Sequence, residues 1–104
     1  MKYIDKFKDP RWQKKRLEIM ERAGFKCENC HSDKKTLNIH HGYYDKGYDP
    51  WDYNNETLWC LCEECHESVM GQLRDLHFQL AKIHPSVFYK VIGYLEKNKR
   101  KCHG

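Results

Sequence analysis

Leu58-Trp59-Cys60-Leu61-Cys62-Glu63-Glu64-Cys65-His66 joins an apolar run, a CxxC pair and a histidine in nine residues. Its counterpart lies upstream, at Cys27-Glu28-Asn29-Cys30-His31. Two thiolates two residues apart grip a zinc ion from a tight turn, and a second such pair completes the tetrahedron. Cys27, Cys30, Cys62 and Cys65 are therefore expected to share one structural zinc. The intervening residues 31–61 are more than the simplest zinc ribbons need, so a strand and a loop are expected between the knuckles. Two other readings of the cysteines are weaker. Six cysteines could form three disulfides, but paired CxxC spacing in a reducing compartment favours metal. Both knuckles also read CxxCH, the covalent haem-attachment pattern, which would require export.

The rest of the composition frames this staple. The 104 residues suffice for one domain with a modest core. Hydrophobic residues make up 39%, and rings account for 13%, so the core should be small and aromatic. The net charge of +4 permits nucleic-acid binding, and its distribution says more. Lysines and arginines crowd residues 2–26 and 97–101, while residues 45–67 are acidic. Met1-Lys2-Tyr3-Ile4-Asp5 lacks an apolar signal core, and no run is long enough to span a membrane. The expected location is intracellular, in the cytoplasm.

Along the chain, residues 1–9 read as a loosely held basic arm. Asp9-Pro10 starts a helix over 10–24, with Asp capping and Pro in the first turn. Trp12, Leu17, Met20 and Ala23 can face a core, leaving Lys14, Lys15, Arg16 and Arg22 largely outside that stripe. Gly24 stops the helix. Thr36-Leu37-Asn38-Ile39-His40 alternates as a half-buried strand. Residues 42–56 form a loop rich in tyrosine, and Thr57 to Leu61 reads as a second strand. A long helix follows from Glu63, with Val69, Leu73, Leu76, Leu80 and Ile83 at helical spacing. His84-Pro85 breaks it, and a last helix covers about Ser86 to Asn98. The expected architecture is a single α+β domain over residues 1–104. It divides into the arm (1–9), the basic helix (10–24), a knuckle core (25–68), a helical extension (69–98) and a basic tail (99–104). Cys60 is expected as a small buried hydrophobe and Cys102 as a free thiol. His77, His84 and His103 read as surface or packing residues, and His31 as part of the knuckle turn.

One pair remains unexplained by packing: His40-His41, between the knuckles, with His66 directly after the last cysteine. Together with the LCxxCH segment and the two knuckles, this doublet resembles the zinc-knuckle branch of the HNH endonucleases, the ββα-metal nucleases. The match covers residues 27–66 and says little about residues 70–104. The resemblance implies a hairpin and helix cradling one divalent ion, and hydrolysis of DNA phosphodiester bonds to 5′-phosphate and 3′-hydroxyl ends. By position, His40 and His66 would hold the catalytic ion (Mg²⁺, Mn²⁺, Ni²⁺ or Zn²⁺), and His41 would be the general base. The position of the family's central Asn, which braces the loop around that base, falls on Thr57. Thr is shorter and has no amide. Asn54 and Asn55 lie close by in sequence.

Other expectations attach to the surface. Lys14, Lys15 and Arg16 could bind DNA phosphates, giving affinity that falls steeply with salt. Tyr43 and Tyr44 either cover the hairpin or touch the substrate. The apolar stripes of the C-terminal helices can pair two chains into a homodimer. A phage, a mobile element or a defence system could encode such a protein. The alternative reading keeps the scaffold and drops the chemistry, giving a zinc-stabilised module that binds nucleic acid or protein.

Overall fold

The computed structural model describes residues 2–99, so the expectations for Cys102, His103 and most of the basic tail lie outside the described residues. The architecture is α+β: helix α1 (Pro10–Arg22), strands β1 (Leu37–His41) and β2 (Leu58–Cys62), helix α2 (Glu63–Ala81) and helix α3 (Phe88–Asn98). The chain forms two compact units, Met1–His66 and Glu67–Gly104. No helix among the described residues is long and apolar enough to cross a membrane.

In the first unit, α1 begins as its sequence dictates. The Asp9 carboxylate accepts from the Arg11 N–H at 2.8 Å, and Pro10 fills the first position. It ends at Gly24, whose φ of +67° suits a residue without Cβ. The buried side of α1 differs from expectation. Leu17 is 47% exposed, while Ile19 is fully buried with Met20 and Trp12. The stripe runs Trp12, Arg16, Ile19, Met20, Ala23, in steps of three and four. That phase turns Leu17 outward and brings Arg16, expected outside, onto the core-facing side.

The strands pair antiparallel in a two-stranded sheet, from Leu37 opposite Cys62 to His41 opposite Leu58. Both begin one residue later than alternation suggests; at β2 the 3-10 turn Asn55–Thr57 takes the first expected position. His41 thus lies inside β1 rather than beyond it. Leu37 and Ile39 pack on a core of Ile19, Met20, Tyr53, Leu58 and Cys60. Cys60 is buried as expected, and burial pushes its thiol up to about 11.

The N-terminal arm is not loose. Tyr3–Lys8 forms a 3-10 turn. Phe7 meets Trp12 edge-on with ring centroids 5.4 Å apart, its carbonyl accepts from the Gln13 side chain at 2.9 Å, and Lys6 pairs with Asp49. Charge count suggested a solvated arm; one aromatic residue, with its ring on a buried tryptophan, anchors it.

Arg22 ties the unit together. Its guanidinium donates to the Asn55 carbonyl and to Glu28 Oε1, both at 2.8 Å, and to the Leu58 carbonyl. Glu28 Oε1 also accepts from the Cys60 N–H at 2.9 Å. One ion pair therefore fastens α1, the first knuckle and β2.

The second unit is built otherwise. Its helical segments meet at a 3-10 turn, Pro85–Val87, capped by His84 Nδ1 accepting from the Ser86 N–H at 3.2 Å. Val69, Met70 and Ile83 are half-buried, but Leu73, Leu76 and Leu80 stay exposed. Neither α2 nor α3 contains a buried residue.

Candidate metal centre and histidine site

The four knuckle cysteines come together. The sulfurs of Cys27, Cys30, Cys62 and Cys65 lie within 4.8 Å of one another, with Cys30 and Cys62 at 3.9 Å. Thiolates around a zinc ion at about 2.3 Å stand roughly 3.8 Å apart. The cluster therefore fits a tetrahedral metal such as zinc, drawn slightly inward. Two turns shape it. The Cys27 sulfur accepts from the N–H groups of Asn29 and Cys30 at 3.4 Å, and the Cys62 sulfur from that of Cys65 at 3.4 Å. His31 closes the first knuckle through its N–H to the Cys27 carbonyl at 2.9 Å; its φ is +67° and its side chain is exposed. Burial raises the Cys27 thiol, but these backbone donors outweigh it and bring Cys27 down to about 6. One sulfur is thus ready as thiolate near neutrality, the form a metal requires.

The histidines sit on the same hairpin. Adjacent strand residues point to opposite faces, and His40 and His41 have separate neighbours. The His40 ring lies 5.2 Å from that of His66, at an interplanar angle of 65°. His66 stands in the first turn of α2, which β2 delivers without an intervening loop.

His41 faces α1. Trp12 and Tyr44 stack on it at 5.3 and 5.4 Å, and Tyr53 meets it edge-on at 4.9 Å. Its Nε2 lies 3.3 Å from the Pro50 carbonyl. A carbonyl only accepts, so the neutral ring carries its proton on Nε2 and keeps a lone pair on Nδ1. Both histidines are 4% exposed. Burial holds each below the ordinary histidine range, with the neighbouring His66 adding to the effect at His40 and the Pro50 carbonyl partly opposing it at His41.

His41 and His66 line one cavity of about 450 Å³. Its apolar wall is Phe7, Trp12, Leu37, Ile39 and Tyr44; its other polar groups are Arg16 and Asn38. No protein-family model, curated protein or solved structure matches the chain.

Thr57 does not reach the His41 ring with its side chain. Its hydroxyl donates to the Asn54 carbonyl at 2.7 Å, inside the 3-10 turn, while its carbonyl accepts the Gly42 N–H at 2.8 Å. Thr57 therefore braces the residue after His41 through its main chain. Asn54 caps the turn by accepting from Glu56 N–H at 3.1 Å, and the Asn55 amide turns to Glu18 at 3.4 Å. Lys14 and Lys15 do not line the cavity, whereas Arg16 does. Tyr44 covers His41, and Tyr43 packs edge-on to Tyr53 at 5.3 Å.

Three participants escaped sequence reasoning. Pro50 acts through a carbonyl, which no residue type announces. Phe7 sat in a segment dominated by charge. Asn38 is one amide within an alternating strand; its place two residues before His40 was the available signal.

Proposed function

We propose that this chain is a metal-dependent endonuclease of the HNH type that hydrolyses DNA phosphodiester bonds. The observation that carries the reading is His41: a buried imidazole, held at Nε2 by a backbone carbonyl, opening onto a cavity shared with His66. A structural histidine needs no such cavity, and a base does. A neutral imidazole can take a proton from water at its Nδ1 lone pair. The water oxygen then bonds to phosphorus as the bond to the 3′-oxygen breaks. That oxygen leaves with a proton from solvent, giving 5′-phosphate and 3′-hydroxyl ends.

His40 and His66 would hold the divalent ion, which supplies charge neutralisation at a phosphate oxygen and at the leaving 3′-oxygen. The His40–His66 spacing of 5.2 Å supports this assignment. The four cysteines would hold zinc as a structural staple beside this site.

The test is plasmid nicking with added divalent ion. Wild type is expected to convert supercoiled plasmid to nicked circles, and His41→Ala to lose about 10²–10⁴-fold in rate with its zinc retained. A His41→Ala protein that nicks like wild type removes His41 from the chemistry. A second reading has an observation of its own: among the described residues, the four cysteines are the only group of three or more potential ligands close enough to hold a metal. A non-catalytic binding module on this scaffold would carry one zinc per chain, whereas the enzyme carries a second, exchangeable ion.

The second unit supplies a partner surface, which we assign to a second copy of the chain. Leu76, Phe78, Tyr89, Ile92, Tyr94 and Leu95 are each more than half exposed. By helical phase Leu73, Leu76 and Leu80 share one stripe of α2, and Phe88, Ile92 and Leu95 share one stripe of α3, all of them exposed. Between α2 and α3 runs a groove of about 390 Å³ lined by His77, Leu80, Phe88, Val91, Ile92 and Leu95, without a charged residue to attract nucleic acid.

A further inference from the structure

The buried stripe of α1 contains one charge. Arg16 follows Trp12 by four residues and precedes Ile19 and Met20, all three of which are buried. It is half-buried itself and lines the cavity of His41 and His66. A guanidinium in such a place costs stability unless an anion meets it.

The other two arginines of α1 have their anions. Arg11 pairs with Asp9 at 3.0 Å and Arg22 with Glu28 at 2.8 Å. Arg16 takes part in none of the ion pairs among the described residues. Sequence explains why. The helix neighbours that could reach it are Trp12, Gln13, Ile19 and Met20, none of them acidic. The remaining polar groups of the cavity are His41, His66 and the neutral amide of Asn38. Every other wall residue is apolar or a tyrosine. The cavity therefore holds one permanent cation and no anion of its own.

We propose that Arg16 binds a non-bridging oxygen of the phosphodiester that is cleaved, with Asn38 as a second, neutral donor to the same phosphate. This assignment rests on the nuclease reading and deepens it by naming what the cavity recognises. It also separates Arg16 from Lys14 and Lys15, which lie on the same helix but outside the cavity. A guanidinium suits this role because it is planar, carries several donors and stays charged throughout the reaction. Because charge grows on the phosphate oxygens as water attacks, a fixed cation there contributes more in the transition state than in the ground state.

The experiment compares wild type, Arg16→Gln, Arg16→Lys and His41→Ala, each checked for zinc content and circular dichroism. Two readouts are taken: kcat for plasmid nicking with divalent ion, and affinity for a short DNA duplex across a salt series with no divalent ion and no chelator added. Arg16→Gln is expected to lower kcat by about 10²–10³-fold. It should also flatten the slope of log affinity against log salt by about 0.9, the share of one phosphate contact. Arg16→Lys should restore the slope and part of kcat, since it returns charge without the fork. His41→Ala should lose cleavage and keep the wild-type slope. If Arg16→Gln keeps both slope and kcat, Arg16 has no phosphate and the inference fails while the nuclease reading stands. Should wild type bind but never cleave, a flattened slope in Arg16→Gln sustains the phosphate site and defeats the nuclease. A wild type that does not bind DNA overturns both.

Discussion

The first unit surrounds its histidines with buried rings and four converging sulfurs; the second leaves the apolar residues of two helices largely in solvent. Tyr53 and Ile19 are 1% and 0% exposed, whereas Tyr94 and Ile92 are 66% and 55% exposed. The same residue types therefore do opposite things within one chain. Aromatic packing and four cysteines gathered as a metal could hold them let a short segment bury an imidazole. A helical pair without such a staple has too few neighbours to bury its own stripes, and its apolar surface is left for association.

The largest expected effect tests whether the staple makes this difference. Cys62→Ser, or prolonged chelation of the wild type, should abolish the cooperative thermal transition of the first unit, because binding free energy of a structural metal is folding free energy. Zinc per chain, measured by atomic absorption, should fall from one towards zero. Near-ultraviolet dichroism from the packed rings should vanish. If the variant keeps its ring signal, the aromatic core alone suffices and the contrast between the units has another origin.

Next in size is a pair of truncations. Trp12→Ala removes a buried ring that stacks on His41 and should cost about 3–5 kcal/mol in denaturant unfolding. Ile92→Ala should leave the unfolding of the dilute monomer nearly unchanged. The proposed dimer would cover Ile92 at high protein concentration, so Ile92→Glu should shift sedimentation from dimer to monomer. A wild type that sediments as a monomer at every concentration would sink the assignment of that surface.

The smallest effect is on pH. Burial lowers His40 and His41 below the reference value of 6.5. The unfolded chain then binds more protons than the folded one as pH falls through 6.5, so their stabilising contribution is present above that pH and is lost below it. The acid limb of the nicking profile should likewise lie below pH 6.5, since a base must be neutral to act. A midpoint at or above 6.5 would mean that burial does not govern these imidazoles.

How much of this was legible follows from which atoms do the work. Cysteine spacing and the histidine doublet are side-chain signals at fixed intervals, and the structure gathers Cys27, Cys30, Cys62 and Cys65 as the spacing implied. The Asp9-Pro10 start and Gly24 stop of α1 were readable because caps have residue preferences. The phase of α1 was not, since Leu17 and Ile19 are both apolar, and only the docked hairpin decides between them. Choosing Leu17 placed Arg16 on the wrong side. The hold on His41 was invisible for a different reason: Pro50 and Thr57 act through carbonyl oxygens, which every residue has.

Gly42 carries one more consequence. Its N–H meets the Thr57 carbonyl at 2.8 Å, and a Cβ there would come to 3.0 Å from that oxygen. The tyrosine-rich loop is therefore cinched at its neck, with the entropy of closing it met by backbone contact rather than by length. Lengthening a closed loop adds little further cost, since the penalty grows only with the logarithm of its size. At the far end, Gly47 turns at a φ of +94° with open space around it. Insertions at Lys46-Gly47 would leave the neck and Pro50 in place. Evolution could thus rewrite the tip of this loop, and with it what the protein touches, without disturbing the imidazole at its base.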